Sequence, residues 1–206
     1  MLKTLGNAVR LIPLLALAPS AFADDTITVE PLIAKTSYCS IANRELILWI
    51  TLAAKYKNGL EAPIILSFPS RVAGYALFGN EEGLKTNRPL RNVIPQFPAM
   101  FDPSKLDQSQ PDPKVFEIIQ PGGVAQRLYN VHFVVGGPRV RPIPAGDYFL
   151  LVTVDPWPAD RKSGEKLARS WNVRGSLWMD SITLPPVRLH IDATSVKWEP
   201  CPLRVD

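Results

Sequence analysis

Residues 46–57 read LILWITLAAKYK, and this stretch constrains the fold more than any other. Leu46, Leu48, Ile50, Leu52, Ala54 and Tyr56 fall on one face of an extended chain. Ile47, Trp49, Thr51, Ala53, Lys55 and Lys57 fall on the other, which turns polar toward its end. Successive side chains of a strand point to opposite faces, so a period of two over twelve residues describes a strand half-buried in a sheet, not a helix. The alternation returns in residues 125–135 (AQRLYNVHFVV), with Tyr129, Val131, Phe133 and Val135 inward and Asn130 and His132 outward. It returns in 148–154 (YFLLVTV), the strongest core strand, and in 187–191, where Val187, Leu189 and Ile191 alternate with Arg188 and His190. Shorter strands are expected at 64–68, 72–78 and 115–119. Residues 46–57 and 64–68 read as an antiparallel pair joined through the Asn58-Gly59 turn.

Proline fills the spaces between these runs. The 206 residues include 21 prolines, and each proline inside a helix costs roughly 3 kcal/mol. A mostly helical protein is therefore excluded. At 46% apolar residues the chain is also too hydrophobic for a disordered tract. Seven or eight short strands punctuated by Gly and Pro predict an all-β antiparallel sandwich. Two stretches break the rhythm and are expected as long irregular loops. Residues 80–114 hold six prolines, and residues 160–172 (DRKSGEKLARSWN) have room for one or two helical turns, with Leu167 and Trp171 four apart.

The N-terminal segment reads as a secretory signal. Lys3 and Arg10 precede the apolar run 11–18 (LIPLLALA), and Ala21-Phe22-Ala23 places small residues where a signal peptidase cuts. Eight apolar residues rise about 12 Å as a helix, far short of roughly 30 Å of hydrocarbon. Residues 1–23 are thus expected as a signal peptide and 24–206 as a single domain, periplasmic or secreted, with no membrane span in the mature chain. Cleavage removes two cations and no acids, so the formal charge falls from +4 to +2. That balance does not call for nucleic acid as a partner. Cys39 and Cys201 are the only cysteines. In an oxidising compartment they are expected to pair and enclose nearly the whole domain.

Pro144-Ala145-Gly146-Asp147-Tyr148, leading into an alternating strand, resembles the Gly-x-Tyr corner of immunoglobulin-like and fibronectin-type sandwiches. The resemblance implies an immunoglobulin-like sandwich in which the Tyr hydroxyl bonds back to nearby backbone. Position 150 is Leu where antibody domains place a Cys, which excludes their bridge between sheets. The order of Tyr56-Lys57-Asn58-Gly59, residues 64–68, Ile119-Gln120-Pro121-Gly122-Gly123 and Ala145-Gly146-Asp147-Tyr148 is also similar to the intracellular proteinase inhibitor family. That likeness spans about half of the mature chain. It implies protease inhibition as one possible activity.

Signatures of catalysis are missing from the sequence: there is no Gly-x-Ser-x-Gly elbow and no His-Glu-x-x-His. His132 and His190 fall on outward strand positions. Asp155 and Asp160 flank Trp157 without the context of an acid–base pair. Gly122-Gly123 and Gly136-Gly137 read as hairpin turns, since neither opens a helix with Lys-Ser or Lys-Thr. The expectation is a non-catalytic binding or interaction module without cofactor or metal, whose partner is a protein or a glycan. The contact surface is assigned to residues 80–114 and 157–174, because sandwiches bind through loops on a rigid scaffold. Trp157, Arg161, Lys162 and Trp171 are the candidate ligand contacts. The alternatives are a protease inhibitor and a carbohydrate-binding module, with Trp157 as an exposed stacking platform.

Overall fold

The computed structural model describes residues 26–41, 45–67, 71–95, 102–157, 159–192 and 199–201. The expected signal peptide, Phe68 and Trp198 lie outside the described residues. The chain runs through β1 (Ile27–Ser40), β2 (Leu46–Asn58), β3 (Ile64–Ser67), β4 (Arg71–Phe78), α1 (Glu81–Lys85) and β5 (Arg91–Val93). It continues through β6 (Phe116–Ile119), β7 (Val124–Gly136), β8 (Gly146–Asp155), α2 (Arg161–Trp171), β9 (Ser176–Leu177), β10 (Ile182–Thr183), β11 (Val187–Ile191) and β12 (Glu199–Pro200). The fold is the expected all-β sandwich.

One layer has the strand order β12-β1-β2-β7. The other has β10-β8-β4-β5, with β11 pairing β8 beside β10. A single apolar cluster fills the space between them. Leu48, Ile50, Leu52 and Tyr56 of β2 and Val131 and Phe133 of β7 meet Tyr75 and Leu77 of β4 and Leu150, Val152 and Val154 of β8. Those of β2 and β7 are the inward phases of the alternating runs, so periodicity alone sorts them correctly. Tyr56 and Tyr129 share a hydrogen bond of 2.7 Å inside this cluster. Burial first, then the neighbouring Tyr129 hydroxyl, pushes the Tyr56 pKa far above its ordinary value, so Tyr56 stays protonated.

Three expectations are corrected. The longest strand is β1, with 14 residues, in a segment where the alternating runs place no strand. Its alternation is broken by Pro31 and by a register shift between Ile33 and Lys35, which hide it from a periodicity reading. These same features suit a strand whose outer edge meets β12 only at Cys39 and Ser40, since proline, bulges and charge discourage further pairing. Second, β2 and β3 do not pair with each other. β2 lies between β1 and β7, while β3 lies between β6 and β9 in a third, small sheet. The Asn58 side chain is responsible. Fully buried, it donates to the carbonyls of Ala62 and Ile119 and accepts from the Leu60 N–H. The chain after β2 is thereby carried over to the other layer. The Asn58 backbone also bonds to Gly122 and Gly123, so that turn links strands of different sheets and is not a simple hairpin.

Third, the two irregular stretches contain regular structure. Residues 80–114 include α1 and β5, and residues 160–172 form three turns of helix in α2. Asp160 caps α2 by accepting from the Ser163 N–H at 2.8 Å, and these Ser163 hydrogen bonds hold its carboxyl below the usual carboxylate range. All four residues of β3 are buried because the small sheet is covered on both faces. Ile64 and Leu66 face the main core. Ile65 faces a second cluster with Phe116, Trp157, Leu167, Trp171 and Leu177 under α2. Gly164 permits the close approach of α2. A Cβ there would stand 2.4 Å from the Met179 sulfur and 2.8 Å from Trp157 Nε1.

Cys39 and Cys201 form a disulfide that ties β1 to the C-terminal segment across 162 positions of sequence. The indole N–H of Trp49 donates to the Cys39 sulfur at 3.2 Å. Among the described residues, no helix is long and apolar enough to cross a membrane.

Candidate functional site

The structure places the four candidate contacts of the sequence reading in two different environments. Trp157 is 5% exposed and Trp171 is fully buried, so Trp157 is not the exposed platform expected of it and Trp171 is not available as a surface contact. Both are consumed by the second core. Trp157 stacks near Phe116 and donates to the Asp160 carbonyl at 2.9 Å, and Trp171 meets Phe116 edge-on and donates to the Asp107 carbonyl at 3.2 Å. A loop tryptophan beside two prolines looks exposed in sequence. Here it is roofed by the helix that follows it. Arg161 and Lys162 are exposed at the start of α2. Arg161 bonds both Glu165 and Asp180, whose hydrogen bonds raise its pKa.

The histidines are likewise explained by packing. His132 meets Trp49 with the rings tilted by 32° and their centroids 4.7 Å apart, and Trp49 itself is half-buried on the outward face of β2. His190 lies 2.7 Å from the Asp147 carboxylate. Asp155 binds Arg71 and Ser181, and so holds β4 and β10 against β8. Among the described residues, no group of three His, Cys, Asp or Glu side chains is arranged to hold a metal.

A depression lies at one end of the sandwich, where β7 leaves and β8 begins. Two connections make its walls: Gly79 and Pro89–Arg91 on one side, residues 141–148 on the other. They enclose about 630 Å³. The second connection reads Arg139-Val140-Arg141-Pro142-Ile143-Pro144-Ala145-Gly146. Ile143 anchors it, with a buried side chain and an N–H donated to the Val135 carbonyl at 2.8 Å. The Tyr148 hydroxyl pins it again by donating to the Pro144 carbonyl at 2.7 Å. Gly146 supplies the turn between them, at φ 155°, a backbone state that disfavours any other residue. Prolines fix much of what remains.

Arg91 braces the cleft. Its guanidinium donates to Leu90 O at 2.9 Å on its own wall and to Arg141 O at 2.5 Å on the opposite one. Among the described residues, neither Arg91 nor Arg141 has a carboxylate partner. Asp147 is the acid in the lining, and it is engaged with His190. A cleft of equal size lies at the other ends of β2 and β7, but Lys57 there faces Glu30 and Glu61 in the same lining. Two arginines against the one carboxylate of Asp147 leave the first lining net positive, where the second is net negative. Sequence reading missed Arg91 and Arg141. For Arg141 the signal available was the run of arginines and prolines between two alternating strands, residues 138–144; nothing around Arg91 marks it.

The fold and cleft together define a β-sandwich with a preformed, cationic depression at its loop end. Comparison with protein-family models, with curated proteins and with solved structures finds no match in any of the three.

Proposed function

We propose that this protein is an exported, non-catalytic binding module that takes its partner at the braced cleft between residues 79–91 and 141–148. The observation that carries this reading is a braced depression whose lining holds two arginines, neither with a carboxylate partner among the described residues, against one aspartate. Proline, a buried anchor and the Tyr148 bond fix its shape before any ligand arrives, which lowers the ordering cost of association. The binding surface thus moves from the tryptophans under α2 to the opposite connections of the scaffold. The carbohydrate alternative loses its platform, because Trp157 is enclosed. The inhibitor alternative keeps a carrier in the same proline-stiffened connection. A panel of purified proteases separates it from simple binding, since only an inhibitor blocks cleavage.

Ala145 is exposed in the cleft wall, and Ala145→Trp would fill the depression without touching the core. Cross-linking pull-down from the native host is expected to recover a partner with the natural chain and to lose it with Ala145→Trp at unchanged melting temperature. Equal recovery from both would remove the cleft from the function. For export, N-terminal sequencing of natively purified protein is expected to begin at Asp24. An intact Met1 would end the periplasmic or secreted assignment.

A further inference from the structure

Resting on the cleft reading above, we infer that the ligand is an extended, carboxylate-bearing peptide segment that adds as a strand to the outer edge of β5. This strand closes its layer: it pairs with β4 on one side, and among the described residues no strand pairs with it on the other. Alternate backbone groups of such an edge face outward and can accept another strand. Leu90 and Ile94 flank β5, and they are 48% and 75% exposed. Apolar side chains at both ends of an open edge offer contacts to alternate residues of an incoming strand.

The cleft is continuous with this edge, because Arg91 lines the cleft and opens β5, with Leu90 of the lining directly before it. Its charge selects the incoming sequence. Arg91 and Arg141 line it without carboxylate partners among the described residues, and the same two connections carry Arg88 and Arg139 in sequence. A guanidinium binds carboxylate better than any neutral group. A sugar is the poorer fit. Tyr148 is the ring in the lining, and it is buried with its hydroxyl committed to Pro144. The ligand chemistry is therefore acidic and apolar residues in alternation.

Fluorescence anisotropy of the full chain with a labelled (Glu-Val)4 peptide tests this. Binding is expected, about tenfold weaker for (Gln-Val)4 and about fivefold weaker for the Arg141→Gln protein. N-methylation of alternate backbone amides of (Glu-Val)4 keeps its charge but removes strand hydrogen bonds, and is expected to abolish binding. Equal affinity for the glutamine peptide would overturn the charge assignment, and unchanged affinity of the N-methylated peptide would overturn strand addition. Binding of polygalacturonate without peptide would overturn the ligand class. If no probe binds while Ala145→Trp still abolishes partner capture, the peptide inference falls and the cleft survives. If partner capture also persists, both fall.

Discussion

Removal of the Cys39–Cys201 bond is expected to destabilise the protein by about 5 kcal/mol, the chain-entropy value for a loop of this length. For a domain of this size that corresponds to a melting temperature roughly 10–20 °C lower. The reason lies in how little else among the described residues holds β12. β12 pairs with β1 only through Cys39–Glu199 and Ser40–Pro200, backed by the Cys201 N–H to Ser40 O bond of 2.9 Å. Two residues of parallel ladder cannot offset the entropy of ordering a chain end. Thermal unfolding of the Cys39→Ser/Cys201→Ser double variant, compared with the oxidised protein, measures the difference. A shift below about 3 °C would mean that the unfolded chain is little constrained by the bond.

Trp171→Ala is expected to cost about 4 kcal/mol, the range for emptying a buried aromatic site. Trp171 is fully enclosed between α2 and the outer face of the small sheet, against Phe116 and Leu167, and its N–H holds Asp107. The loss should concentrate on α2, because Ile65 and Phe116 keep their sheet while the helix loses its main anchor. Hydrogen exchange is expected to quicken through residues 161–171 while β2 and β7 stay protected. Trp171→Phe keeps most of the volume and gives up the Asp107 bond, at about 1.5 kcal/mol. Uniform acceleration across both layers would show that the second core is no separate unit. Unchanged exchange in α2 would show that the helix is held by Leu167 and the Asp160 cap instead.

The strands legible in the sequence share one property: their burial repeats with the pleat. β2, β7, β8 and β11 each present one face to the main cluster, so alternation alone located them and sorted their inward residues. β1 escaped because its bulge and proline interrupt the period. α2 was underestimated because its apolar positions, Leu167 and Trp171, are few, and its stability comes from the small sheet it covers. The cleft was legible only as an unremarked run of arginines and prolines. Nothing local shows that the Arg91 guanidinium reaches the carbonyl of Arg141, fifty positions away.

Local chemistry therefore decided the extended conformation of these segments, the turn at Gly146 with its Tyr148 tie, and the availability of two sulfurs for one bond. Each follows from the pleat, a backbone angle or a count, none of which needs a neighbour distant in the chain. Partnership was decided by packing. Whether β2 pairs with β3 or with β7, whether Trp157 meets solvent or Phe116, and where positive charge accumulates all depend on long-range contacts. Apolar surface is buried without regard to direction or sequence distance, so those contacts are chosen by the shape of the assembled layers.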